Sequence, residues 1–284
     1  MIKGKIQTLR NSFSIASWGY NFKSKKILFL TSLLNHFGHG RKDLRNRVAA
    51  AIKSLTTNNE VVIKLKAKTQ VPFTVKYRLD DYSDYQSLGE CLGNMYEIPR
   101  HQIDYFIDGG ANIGFFSIRL LGKDNFKEAL LIEPNPENLK LLEYNISAFT
   151  NAKVLPYALA KEEGSVVFEL ATSNTGHIKG AIGHPETTSS VLVNAKVLSD
   201  IIPGHWTMEK TLLKLDIEGA EYEVIDDIID HKIFPRIIVG EIHDYLRHNG
   251  IGLVNKLEAV GYKVDVTGFG NEGNVCRQIV AVRD

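Results

Sequence analysis

Two short stretches of this chain crowd ionisable side chains where apolar runs end. "TLLKLDIEGAEYEVI" carries Asp216, Glu218 and Glu221, and "RIIVGEIHDYL" carries Glu241 and His243. Alternation along an extended strand sends Glu241 and His243 to the same side. An imidazole beside carboxylates makes a general base with an orienting group, so His243 is the candidate base and Glu241 or Glu218 its orienter. A carboxylate closing a buried strand is desolvated unless it is paired or bound to a ligand, which marks Asp216 as functional. Glu221 has a plainer reading, an acid in a first helical turn facing the helix dipole. A metal could use Asp216, Glu218, Glu241 and His243, but no ligand spacing singles them out and no metal is expected. The plainer alternative for His243 is a structural histidine, hydrogen-bonded at a strand end.

A second constellation lies upstream. In "YFIDGGANIGFFSIRLL" an apolar run stops at Asp108, and Gly109, Gly110 and Gly114 lead into a helix-like run from Phe115. Glycines permit a tight turn and close backbone approach to a ligand. Ala111 stands where the dinucleotide fingerprint needs its second glycine, so G-x-G-x-x-G is not met. An acid directly before the glycines suits a cationic ligand, such as an α-amino group beside a sulfonium, better than a pyrophosphate. Glu133, in "LLIEPNPENLKLLEYNI", follows Asp108 by about 25 positions, near the roughly 20-residue offset at which a carboxylate accepts from ribose hydroxyls. Asn135 is placed to cap the next helix, with Pro136 at its first position.

These residues need a scaffold that brings strand ends together. From Asp104 onward, "YFIDGG", "ALLIEPNP", "AKVLPYALA", "TLLKLDIEG" and "RIIVGEIH" alternate with helical stretches, which predicts a mostly parallel sheet covered by helices. Ligands of such sheets sit at the carboxyl ends of the strands. "YKVDVTG" and "CRQIVAV", joined by "FGNEGN", predict a terminal antiparallel hairpin. Upstream, "EVVIKLKA" and "FTVKYRL" predict another hairpin, and "YSDYQSLGECLGNMYEIP" a short helix ending near Gly93. The stretch "SNTGHIKGAIGHPETTSSVLVNAKVLSDII" has the Gly, Ser and Thr content of an exposed loop followed by a strand, with substrate contacts placed there.

The 284 residues suit one large domain or a domain with an extension, and a net charge of +1 with 44% hydrophobic residues gives no global signature of polyanion binding, so no nucleic-acid partner is expected. Cys91 and Cys276 lie far apart without metal-type spacing, which argues for a reducing, cytoplasmic setting. "ILFLTSLL" is too short to span a membrane. Residues 1–42 hold eight Lys or Arg and no acid, mixed with Phe, Trp, Ile and Leu. Such a segment suits peripheral contact with an anionic membrane or a partner protein; a helical extension with a solvated basic face is the plainer reading.

Together "IDGGANIGFFSI", "IEPNPENLKLLEYNI", "LLKLDIEGAEYEVI" and "VGEIH" resemble the FkbM family of S-adenosylmethionine-dependent methyltransferases, in family order over roughly residues 80–284. The resemblance implies an α/β class I methyltransferase (Rossmann-like) fold with a seven-stranded sheet of order 3-2-1-4-5-7-6. The residues themselves place an N-terminal helical and β-hairpin extension before it, dividing the chain into a basic helical extension at 1–55, a hairpin and helix at 56–100, and the S-adenosylmethionine-binding domain at 101–284. By motif match, Asp108, Gly109, Gly110, Asn112 and Gly114 would cradle the methionine part, and Glu133, with Pro134 and Asn135, would hold the ribose. Ala158, within Tyr157–Leu159, would flank adenine, and Asp216 would face the methionine end. The resemblance also implies transfer of methyl to a hydroxyl oxygen of a sugar, glycan or other small-molecule acceptor; the residues read above then supply His243 as the base, oriented by Glu241 or Glu218. Two other readings stand beside it: an NAD(P)-dependent oxidoreductase, and a noncatalytic membrane-associated module. The oligomeric state is not legible.

Overall fold

A computed structural model describes residues 10–37, 42–56, 60–66, 72–92, 98–99, 101–171, 176–179, 187–245, 249–271 and 274–284. The chain divides into two compact units, one of Met1–Met95, Ile113–Asn125 and Lys140–Phe149, the other of Tyr96–Asn112, Phe126–Leu139 and Thr150–Asp284.

The first unit contains α1 (Phe22–Phe37), α2 (Lys42–Lys53), the hairpin strands β1 (Glu60–Leu65) and β2 (Phe73–Arg78), and α3 (Tyr82–Leu92). To these it adds α4 (Phe115–Leu121) and the end of α5 (Pro136–Ile146). In β1, Val61, Ile63 and Leu65 alternate with exposed positions and are buried, the period of a strand with one covered face. Helix α1 is no loose appendage: Ile27, Leu28 and Leu34 are buried, and Thr31 Oγ1 lies 2.6 Å from the Tyr77 hydroxyl of β2. The fully buried Asp84 of α3 receives two bonds from the Arg78 guanidinium and one from the Arg78 backbone N–H. Asn145 of α5 accepts from the Lys76 N–H and donates to the carbonyls of Lys76 and Ile113.

The second unit is built on seven strands: β3 (Tyr105–Gly109), β4 (Glu128–Ile132), β5 (Ala152–Leu155), β10 (Thr211–Leu215), β11 (Ile237–Tyr245), β12 (Tyr262–Asn271) and β13 (Asn274–Arg283). Across the sheet they run β12-β13-β11-β10-β3-β4-β5. Counted in chain order among themselves, that is 6-7-5-4-1-2-3. The first five pair in parallel, and β13 lies antiparallel to both β11 and β12. Parallel strands are covered on both faces, hence the unbroken burial of β3 and β10. Leu198 of the short helix α6 (Leu198–Ile201) belongs to the main core of this unit. Tyr105, Ile107, Leu213, Leu215, Ile238 and Ile242 join it there, with Val224 and Ile228 of α7 (Glu221–Asp230) and Leu253 and Leu257 of α8 (Gly250–Ala259).

A second sheet, β6-β9-β7-β8, occupies the connection before β10: β6 (Ala158–Leu159), β7 (Gly164–Ala171), β8 (Gly176–Ile178) and β9 (Thr187–Lys196). Of the stretch read as an exposed loop followed by a strand, β9 is the strand, and β8 lies in the part read as loop; residues 172–175 and 180–186 lie outside the described residues, as do 1–9 and 38–41 of the basic segment. Among the described residues no helix is long and apolar enough to cross a membrane.

Candidate active site

The glycine turn is held by the strands on either side of β3. The N–H groups of Gly110 and Ala111 both donate to the Ile132 carbonyl, and the Asp216 N–H donates to the Gly109 carbonyl. Gly110 has φ 73°, and a Cβ there would stand 1.9 Å from the Asp216 carbonyl oxygen. Only glycine fits this backbone and this approach.

Beneath the turn, the parallel register sets Lys214 of β10 beside Asp108 of β3. Lys214 Nζ lies 3.2 Å from Asp108 Oδ1 and donates to the carbonyls of Gly109 and Gly110 at 3.2 and 2.7 Å. Both side chains are buried. The cationic partner expected for Asp108 from a ligand is thus supplied by Lys214, and Asp108 fixes the turn from below. Lys214 also reaches Asp216 Oδ2 at 3.7 Å, but that side chain remains 32% exposed. Asp216 follows the strand end and is open to solvent there, so it does not carry the desolvation expected of a buried strand end.

Glu133 follows β4, 5% exposed. Its two oxygens accept from the N–H groups of Asn112 and Asn135 at 2.8 and 2.9 Å. Burial outweighs these bonds and the nearby Lys214 charge, and pushes its carboxyl up to about 7. The Asn138 side chain bonds this carboxylate as well, and a ligand bringing hydroxyl donors to its remaining acceptor capacity would favour the ionised form. Asn112 takes a left-handed φ of 50°, which turns its N–H to this carboxylate. Asn135 Oδ1 accepts from the Glu137 N–H, the expected helix cap, and its side chain is buried in that role. Pro134 stands between them, half-buried. Ala158 is buried in the small core of the second sheet, while Tyr157 beside it stays half-exposed.

The second cluster forms where α7 begins beside β11. Glu221 is 1% exposed, and its carboxylate accepts from the N–H groups of Ile217 and Gly219. Its Oε1 also lies 3.0 Å from His243 Nδ1. Glu221 therefore orients His243, the role expected of Glu241 or Glu218. Those two face the other ring nitrogen, with Glu218 Oε2 and Glu241 Oε2 at 3.5 and 3.9 Å from Nε2. Burial opposes a charge on His243, but Glu221 and Glu218 outweigh it and hold the imidazole protonated well above its usual range. Burial pushes Glu218 up to about 7; His243 opposes this, while Asp216, Glu221 and Glu241 add to it. Burial and Asp216 likewise raise Glu241.

Two residues of the site are missed by sequence reasoning. Lys214 is visible as a lone cation inside an apolar strand. Cys276 is not, because only the pairing of β11 with β13 sets it opposite His243, 35 positions beyond Glu241. Its thiol donates to Glu241 Oε2 at 3.1 Å, and Gln278 donates to Oε1.

A sheet of this kind, with a glycine turn after its first strand and acids closing its neighbours, is that of a nucleotide-cofactor enzyme. Residues 108–264 match the model of the methyltransferase FkbM domain, and the chain belongs to that family. S-adenosylmethionine is the family's cofactor. The turn too tight for a Cβ at Gly110 and the under-solvated acceptor Glu133 fit its amino-acid and ribose ends. Methyltransferase 1 of Beauveria bassiana is 26% identical over 160 residues, a match spanning 49% of this chain and 64% of that protein. Among solved structures, a precorrin-6y C5,15-methyltransferase from Geobacter metallireducens aligns with TM-score 0.39 and 18% identity over 65% of this chain and 82% of its own. TYW2 of M. jannaschii, solved in complex with AdoMet, aligns with TM-score 0.44 and 13% identity over 81% and 89%.

Proposed function

We propose that the protein transfers a methyl group from S-adenosylmethionine to a hydroxyl oxygen of a sugar, glycan or other small-molecule acceptor. One observation carries the reading: Asp216, Glu218, Glu221 and Glu241 gather at neighbouring strand ends, with Lys214 and His243 beside them. Such a site favours a cationic cofactor and disfavours the phosphates of a dinucleotide or an RNA acceptor, whereas a neutral hydroxyl is unaffected. The observed strand order supports reading the sheet as that of a class I methyltransferase.

Glu133 would accept from the ribose hydroxyls, and the Gly109–Asn112 turn would receive the methionine part, with Asp216 facing its cationic end. Bound S-adenosylmethionine supplies an electrophilic methyl group and a neutral thioether leaving group, so the proton of the acceptor hydroxyl must go elsewhere. Glu218 is suited to take it, because it is 30% exposed, sits beside the ring held by Glu221, and can accept directly. Alignment of acceptor oxygen, methyl carbon and sulfur supplies much of the rate.

Labelled methyl transfer to a panel of saccharides, lipid-linked saccharides and RNA tests this reading. Label should appear on saccharide hydroxyls and be lost with Glu133→Ala. Label on RNA, or none on any hydroxyl acceptor, would contradict it.

A further inference from the structure

We propose that Glu241, His243 and Cys276 form a binding site for a divalent transition metal of the zinc class, with Glu218 beside its open position. The pairing of β11 and β13 sets Cys276 directly opposite His243, and Glu241 precedes His243 by two residues on the same face. One ligand atom from each of the three lies within 4.8 Å of the others. Cys276 Sγ is 3.1 Å from Glu241 Oε2, and His243 Nε2 is 3.9 Å from that same oxygen. Donors around a tetrahedral zinc ion, at about 2.0–2.3 Å from it, lie about 3.3–3.8 Å from one another. Small side-chain adjustments therefore suffice to close the three on an ion.

Chemistry and surroundings agree with the spacing. Thiolate, imidazole and carboxylate together suit zinc or cobalt better than magnesium or calcium, which prefer oxygen alone. Cys276 is a free thiol. The ring nitrogen facing this set is Nε2, while Nδ1 meets the buried carboxylate of Glu221, itself anchored by two backbone N–H groups. A carboxylate behind a metal-binding histidine fixes its tautomer and raises its basicity. Glu218, Glu221 and Glu241 around one imidazole are also an excess of negative charge that a dication balances.

Three protein donors and one free position is the pattern of a catalytic rather than a structural zinc site. The role of that position rests on the methyl-transfer reading: beside Glu218 it would take the acceptor hydroxyl, which a metal both orients and makes more acidic.

The test titrates cobalt(II) into the full chain after metal stripping. One equivalent should bind and give a thiolate-to-cobalt absorption band in the near ultraviolet, and zinc should displace it. Cys276→Ser should abolish the band, Glu241→Gln should weaken binding more than about 100-fold, and Glu221→Gln should weaken it about 10- to 100-fold. Absence of stoichiometric binding overturns the proposal, as does a band indifferent to Cys276→Ser and Glu241→Gln. S-adenosylmethionine binding, measured in parallel by calorimetry, separates the two readings. A missing band in the wild-type chain with intact cofactor binding overturns the metal site alone; an intact band without cofactor binding overturns the methyl-transfer reading alone.

Discussion

At Glu133, the proposed ribose contact would couple protonation to ligand binding. Its carboxyl holds a proton up to about 7 in the folded chain, against 4.5 when solvated. A raised folded pKa stabilises the fold fully below the unfolded pKa, and that contribution is lost as pH climbs from 4.5 through about 7. Hydroxyl donors favour the ionised form, so cofactor affinity should move oppositely, rising through about pH 7 and levelling above it. Calorimetry at a series of pH values on either side of about 7 checks this. Glu133→Gln should flatten the profile and weaken binding by about 10- to 100-fold, the loss of a charge-assisted hydrogen bond of roughly 1.5–3 kcal/mol. The buried Lys214–Asp108 pair gives a second expectation. Lys214→Met leaves Asp108 buried without its cation and should cost about 3–5 kcal/mol in denaturant unfolding, while adding Asp108→Asn should recover much of it.

At the scale of elements, the site depends on how closely two loops approach. Gly110→Ala would drive a Cβ into the Asp216 carbonyl and strain a left-handed backbone. It should lower stability by about 1–3 kcal/mol and abolish cofactor binding, whereas Gly204→Ala, with open space around it, should change stability by less than about 0.5 kcal/mol. Elements with a strong local signal are legible in the sequence. The strands β3, β10 and β11 read as apolar runs ended by charged residues, and both hairpins are visible from alternation and turns. The side-chain partners are not. Glu221 has the local signature of a first-turn acid, which says nothing of His243 across the loop. Lys214 as the counter-ion of Asp108 follows from parallel register, and Cys276 beside His243 from antiparallel register, neither of which a single strand reveals. The exposure of Asp216 is not legible either, because one residue separates a buried strand end from an open loop.

At the scale of the molecule, the N-terminal region reads differently once α1 is placed. Its composition suggests a helical extension with a solvated basic face or a peripheral contact segment, and within it Ile27, Leu28 and Leu34 are buried in the first unit. Leu28→Ala should therefore cost about 2–5 kcal/mol in thermal or chemical unfolding, while Phe22→Ser, at an 83% exposed side chain, should leave stability nearly unchanged. The second unit carries the seven-stranded mixed sheet and its acid-rich strand ends, and there the central claim is most directly tested. Calorimetric titration of the full chain with S-adenosylmethionine, and separately with a nicotinamide dinucleotide, decides it. One equivalent of S-adenosylmethionine should bind to the wild-type protein, none to Glu133→Ala, and the dinucleotide to neither. Tight dinucleotide binding, or S-adenosylmethionine binding unchanged by Glu133→Ala, would contradict the account.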